Sequence, residues 1–231
     1  TALRRMRGQD APLVAIDLLR SASTQTLATG LQRERAAFLA LRQSKQARAL
    51  RHIFFAERGV KIPAVLRPHM KMPDQVAVVG GGTMGAGIAY SFLRAQIPVR
   101  LVETAGDGLE RAAANIEKII MSSLSAGHID ETTAGRCRDH LTLTTDYGDL
   151  GDVDLAIEAV YEDLTVKQTV LTKLQTAAPG AVLATNTSYL DIDRMAEMLA
   201  DPTRLIGLHF FAPAHIMKLL EIVNAQATAP A

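Results

Sequence analysis

Two hydrophobic periods divide the chain. Up to about residue 58, apolar positions recur three and four residues apart, as on one face of a helix. Pro12 through Arg20 predicts a short helix, and Leu31–Leu41 a second, with Leu31, Phe38 and Leu39 or Leu41 set between charges. Ser44–Arg58 predicts a third, with Ser44 as candidate cap and Ala47, Leu50, Phe54 and Phe55 at helical spacing. Phe38, Phe54 and Phe55 read as helix-packing residues. Three such helices read as the end of something larger, or as a layer against the next domain. Residues 59–73 carry Pro63, Pro68 and Pro73 among Lys61, Arg67 and Lys71, the composition of a linker.

From Gln75 the period changes. Short β-branched runs alternate with amphipathic stretches: strand Val76–Val79, a helix over Ala86–Leu93, strand Val99–Val102, a helix from Gly108 to Leu124. Residues 125–152 are polar and interrupted by glycines, with a short strand at Leu141–Thr144. Strand Val153–Glu158, helix Leu164–Ala177, strand Ala181–Thr185, helix Asp191–Leu199 and a last strand Leu205–Leu208 follow. Repeated strand–helix units predict an α/β fold with a Rossmann-type, doubly wound parallel sheet, preceded by the helical segment.

Composition narrows the function. Nearly half of the 231 residues are hydrophobic, enough for a proper core. The formal net charge of +1 provides no basic field for nucleic acid. One cysteine, Cys137, excludes a disulfide framework, fits a reducing compartment and has no metal-ligand pattern around it. His52, His69, His128, His140 and His215 show no metal-ligand spacing either, so no metal is expected. No apolar run reaches membrane-spanning length, and Arg4, Arg5 and Arg7 precede no secretory apolar segment.

The candidate chemistry begins after the first strand, where Gly80, Gly82 and Gly85 are spaced G-x-G-x-x-G. The first glycine permits the tight turn, the second lets backbone approach a pyrophosphate, and the third lets the helix pack near the strand. The pyrophosphate would lie on free N–H groups at a helix N-terminus. The second strand ends on Glu103, eighteen residues after Gly85, where an acid bonds the adenosine ribose. A carboxylate there favours NAD over NADP.

In such sheets ligands bind beyond the carboxyl ends of the strands. That rule selects Tyr161, Glu162 and Lys167 after one strand, Asn186, Thr187 and Ser188 after the next, and His209 after the last. His209 can exchange a proton near neutral pH, or can be a packed histidine beside Phe210 and Phe211. Ser188 can bond a ligand, or cap the helix near Asp191. Glu221 can orient an imidazole, but its spacing alone reads as a surface acid.

Four stretches together resemble the L-3-hydroxyacyl-CoA dehydrogenase family over residues 74–224. They are Val78-Val-Gly-Gly-Gly-Thr-Met-Gly-Ala-Gly-Ile-Ala, Glu158-Ala-Val-Tyr-Glu-Asp-Leu-Thr-Val-Lys, Thr185-Asn-Thr-Ser, and Gly207-Leu-His-Phe-Phe-Ala-Pro-Ala-His-Ile-Met-Lys-Leu-Leu-Glu-Ile-Val. Gly30-Leu-Gln-Arg-Glu-Arg-Ala-Ala-Phe and Ala49-Leu-Arg-His-Ile-Phe-Phe-Ala-Glu-Arg resemble the end of an enoyl-CoA hydratase (crotonase) part and the linker helix of multifunctional β-oxidation enzymes. The resemblance implies NAD-dependent oxidation of a (3S)-3-hydroxyacyl-CoA. His209 would be the base, Glu221 its partner, and Ser188 would bond the substrate oxygen. Gly80, Gly82, Thr83, Met84, Gly85, Glu103, Val160, Tyr161, Glu162, Lys167 and Ser188 would line the NAD site. Where the family often has Asn three residues after the His, this chain has Ala212, which leaves only a backbone contact.

The resemblance also implies a fragment, with the hydratase core before Thr1 and a helical dehydrogenase domain after Ala231. Its expected partners are an acyl-CoA substrate, those two domains of its own protein and a second copy in a dimer. Its expected location is bacterial cytoplasm, or the peroxisome of a eukaryote. The rival expectations are an NAD-binding module with little turnover and a different dehydrogenase acting on a small 3-hydroxy acid.

Overall fold

The computed structural model describes residues 6, 8–60 and 71–229, so most of the linker expected at 59–73 lies outside the described residues. The chain divides into two compact units, Thr1–His69 and Met70–Ala231.

The first unit holds α1 (Ala11–Ala22), α2 (Leu27–Gln43) and α3 (Lys45–Gly59). Local chemistry sets their ends. The Thr26 side chain accepts from the Thr29 N–H, and Ser44 accepts from the Ala47 N–H at 3.1 Å, each satisfying a free donor of the first turn. None of the three helices has a buried residue. The expectation for the phenylalanines is therefore corrected: Phe38, Phe54 and Phe55 are exposed. These three helices form no enclosed core of their own, so the rings stay open to solvent. Phe54 and Phe55 instead meet edge to face, ring centroids 5.4 Å apart, and the Arg58 guanidinium lies 4.2 Å from the Phe54 ring centre.

The second unit is a doubly wound sheet. In chain order it contains β1 (Val76–Val79), α4 (Thr83–Arg94), β2 (Val99–Val102), α5 (Gly106–Ser125), α6 (Glu131–Asp139) and β3 (Leu141–Thr144). Then come β4 (Leu155–Glu158), α7 (Leu164–Ala177), β5 (Val182–Thr185), α8 (Ile192–Ala196), β6 (Leu205–Phe210) and β7 (Leu220–Asn224). The strands lie in the order β3-β2-β1-β4-β5-β6-β7. All neighbours are parallel except β6 and β7.

β1 is an interior strand, buried at every position. Its alternation feeds two cores: Val76 and Val78 pack with α4, α5 and α6 side chains such as Ile88, Ile116 and Cys137, while Ala77 and Val79 pack with Leu171 and Met195 of α7 and α8. The order reverses at β1, between β2 and β4, and a crevice opens there beyond the strand ends.

Two elements differ from the sequence expectation. α6 occupies part of the stretch read as broken; only Ala134 and Cys137 of it are buried, and the Asp130 carboxylate caps it at the Thr133 N–H. β7 follows what read as the last strand, and pairing with it carries β6 on to Phe210.

The β1–α4 turn depends on two absent side chains. Gly80 has φ +98°, and a Cβ on it would stand 2.8 Å from the Ala159 carbonyl oxygen. A Cβ on Gly85 would fall 1.7 Å from the Gly80 carbonyl oxygen, so helix and strand can approach this closely only without it. Gly85→Ala is therefore expected to destabilise the fold by about 2–3 kcal/mol, measured by urea unfolding. An unchanged midpoint would show that α4 can move away at no cost.

Candidate active site

At the end of β6 stands His209. The antiparallel ladder sets it directly opposite Glu221 of β7. Directly opposed residues bring their Cβ atoms to about 5 Å, close enough for side chains to meet. His209 Nδ1 lies 2.8 Å from Glu221 Oε2. The His209 side chain is mostly covered and that of Glu221 is half exposed. The ring also leans on Phe211, centroids 4.4 Å apart. With Nδ1 engaged by the carboxylate, Nε2 is the nitrogen left for a ligand proton.

Behind the histidine lies a second carboxylate system. Glu158 ends β4 and Lys167 sits in the first turn of α7; their side chains are 0 % and 1 % exposed. Lys167 Nζ donates to Glu158 Oε1 at 2.5 Å, lies 3.0 Å from Glu162 Oε2 and donates to the Val160 carbonyl at 3.4 Å. Its three donors thus face three acceptors. The Thr185 hydroxyl, at the end of β5, donates to the other oxygen of Glu158 at 2.9 Å. Glu162 Oε1 accepts from the Thr187 hydroxyl at 2.7 Å, the Ser188 N–H at 2.8 Å and the Ser188 hydroxyl at 3.2 Å.

The two acids are tuned in opposite directions. Burial pushes the Glu158 carboxyl above the usual range, against the pull of Lys167. Burial opposes ionisation of Glu162 too, but the bonds from Thr187, Ser188 and Lys167 outweigh it and bring its carboxyl down to about 2.

These elements line an open cavity of about 340 Å³. Met84, Val160, Glu162, Lys167, Ser188, His209 and Ala212 line it, so the structure brings these expected site residues together. A second hollow of about 330 Å³ shares Ser188 and His209 and adds Glu221. Asn186 Oδ1 accepts the Phe210 N–H at 2.9 Å and ties the end of β5 to β6 beneath the histidine.

Gly80, Gly82, Thr83 and Gly85 form the turn and first residues of α4. Glu103, beyond β2, accepts the Gly81 N–H at 2.6 Å, so the acid expected on the ribose braces the glycine turn. A Cβ on Gly81 would stand 2.2 Å from that of Ala112, a constraint the G-x-G-x-x-G pattern does not express. Tyr161 is 80 % exposed and does not line the cavity. Ser188 is joined to Glu162, while the α8 cap is made by Asp191, which accepts from the Asp193 N–H.

Sequence reasoning placed Thr187 at the crevice but passed over Glu158 and Thr185 as site residues. The signal was an acid closing an apolar strand at the point where strand order reverses, with a lysine one helical turn into the next element. Among the described residues no cluster of His, Cys, Asp and Glu could hold a metal, and no helix is long and apolar enough to cross a membrane.

Glu162 makes a pH-dependent contribution to stability. Its folded pKa lies below its ordinary value of 4.5, so the stabilisation is complete above that value and disappears as pH falls through about 2. Glu162→Gln is expected to cost about 1–3 kcal/mol at pH 6, and the gap to the wild type should narrow steadily below pH 4.5. Unfolding measured at pH 6, 4 and 3 checks this; a constant gap would contradict it.

Residues 75–231 match the family described as 3-hydroxyacyl-CoA dehydrogenase, NAD binding domain. The chain is 39% identical to the human peroxisomal bifunctional enzyme over 242 residues, covering 99% of this chain and 33% of that protein. It is 34% identical to the fatty acid oxidation complex subunit alpha of Shewanella baltica, covering 95% of this chain and 32% of that protein. It thus spans about a third of the curated relatives it matches. The crystal structure of 3-hydroxybutyryl-CoA dehydrogenase from Escherichia coli K12 superposes with a TM-score of 0.66 at 38% identity, over 69% of this chain and 34% of that one.

Proposed function

The chain belongs to the 3-hydroxyacyl-CoA dehydrogenase family through its NAD-binding domain, and from this premise we propose that it carries the cofactor half of an enzyme oxidising (3S)-3-hydroxyacyl-CoA to 3-oxoacyl-CoA. The observation that carries the reading is the His209–Glu221 pair, at 2.8 Å, beside Ser188 on the wall of the crevice.

The residues fit a dinucleotide. Apart from its own chain neighbours, no heavy atom of the protein lies within 4 Å of the place a Gly82 Cβ would take, so that side of the turn is open to a ligand. The first N–H groups of α4 have no acceptor of their own helix and form an anion site there. When bound, NAD supplies the hydride acceptor.

The remaining work falls to the protein. Glu221 takes the Nδ1 proton bond of His209, which keeps the lone pair on Nε2 for the 3-hydroxyl proton and stabilises the imidazolium that forms. Ser188 bonds the substrate oxygen and fixes the reacting carbon, so orientation supplies much of the barrier reduction. Glu221 is half exposed, and solvent weakens its field; its contribution is smaller than in a buried triad.

The substrate class, and the neighbouring hydratase and helical domains as partners, rest on the likeness to bifunctional β-oxidation enzymes. On the same ground the enzyme belongs in the peroxisome of a eukaryote or the cytoplasm of a bacterium.

Fluorescence titration with NADH, followed by NADH oxidation with acetoacetyl-CoA on the same sample, tests the reading. Turnover should fall about 10³-fold in His209→Ala and about 10–100-fold in Glu221→Gln, with NADH affinity nearly kept. Binding without wild-type turnover would overturn the catalytic part for this chain. Gly82→Ala should weaken NADH binding at least tenfold while costing under about 1 kcal/mol of stability, because its Cβ would enter ligand space and not protein. Unchanged NADH affinity would place the cofactor elsewhere.

A further inference from the structure

Glu158 is fully buried, yet it is one end of a continuous polar chain that reaches the crevice. Thr185 donates to it, Lys167 donates to it, Lys167 pairs with Glu162, and Glu162 accepts from Thr187 and twice from Ser188. We propose that Glu158 is a positioning residue for the reaction: it anchors the Lys167 ammonium, which holds Glu162 in the place where that carboxylate fixes Ser188. The proposal rests on the role given to Ser188 above.

The argument is one of charge balance in a dry place. A lysine ammonium that is 1 % exposed needs acceptors on every side. Glu158 is its shortest contact and, unlike Glu162, does not line the cavity. Without that charge the ammonium has two ways to regain an acceptor. It can draw Glu162 inward, or extend its stem toward solvent beside Glu162. Either motion takes Glu162 Oε1 from its bonds to Thr187 and Ser188. The Ser188 hydroxyl then loses the bond that orients it.

Geometry also explains why a buried acid is kept in a sheet that otherwise buries aliphatic side chains there. Glu158 ends β4 and pairs with Thr185 at the end of β5, so one carboxylate links two strands and the first turn of α7. An apolar residue would pack as well but would leave Lys167 without its inner partner.

The test is a double-mutant cycle in the full chain, with Glu158→Gln, Ser188→Ala and the pair, each read by NADH oxidation with acetoacetyl-CoA and by NADH titration. Glu158→Gln keeps the shape and an acceptor for Thr185 while removing the charge. In the Ser188 background it should lower kcat about 10–100-fold with KM changed less than about threefold. In the Ser188→Ala background the same change should cost less than about threefold, because its effect passes through Ser188. Equal losses in both backgrounds would mean a structural role only and overturn the proposal. If Glu158→Gln does not fold, Thr185→Val, which removes one bond that orients Glu158, enters the same cycle with the same criterion.

Wild-type behaviour separates the two ideas. If the wild type binds NADH but does not oxidise it, the catalytic reading falls. The cycle is then judged on the NADH dissociation constant, where coupling supports the positioning chain and additivity overturns it. If NADH does not bind at all, both fall.

Discussion

Everything in the second unit depends on how closely α4 can lie on β1. The Gly85 Cα and the Gly80 carbonyl occupy space that no side chain could share. That approach places the first turn of α4 beyond the end of β1, where Met84 lines the crevice. It also lets Ile88 and Leu93 reach the same core as Val76 and Val78. The position of the α4 N-terminus and one hydrophobic layer are thus consequences of one steric allowance. Glu103 adds a brace from the end of β2 through the Gly81 N–H, so the turn is tied to β2 as well as to the strand it follows.

Legibility in the sequence followed the source of each element's stability. β1, β2 and α7 could be read residue by residue, because burial on both faces or a complete amphipathic pattern is written locally. α6 could not, since only Ala134 and Cys137 among its nine residues are buried and the rest is polar. β7 is exposed at every position and takes its form from β6 across the ladder, a partner that no local pattern reveals. The C-terminal end of β6, read as Leu208 and found at Phe210, was misjudged for the same reason.

The candidate site divides along that line as well. The glycine turn, Glu103, Ser188 and His209 follow from the rule that ligands gather at strand ends. Glu221 does not: spacing alone made it a surface acid. It is indeed half exposed, and only the register opposite His209 turns it into a partner. Glu158 lay hidden for the opposite reason. An acid at the end of an apolar strand reads as the first solvated residue, whereas here Lys167 and Thr185 follow it into the interior. The phenylalanines of the first unit show the limit of periodicity: it foretold helices, but three helices do not enclose the rings they carry.

The strand that carries Glu221 has a neighbour on one side only. Its apolar residues, Leu220, Ile222 and Val223, are all exposed and add little burial to hold it in place. The backbone of β7 can therefore detach in a local opening that leaves β1, β4 and β5 protected, at a free energy below that of global unfolding. Each such opening separates the carboxylate from the imidazole. The fraction of molecules with Glu221 held on His209 is then set by the fraying of one outer strand, and amides of β7 are expected to exchange with solvent before those of the buried strands. Heating is expected to part the His209–Glu221 pair before the buried strands separate, since the pair is seated on the exposed edge of an otherwise well-buried sheet.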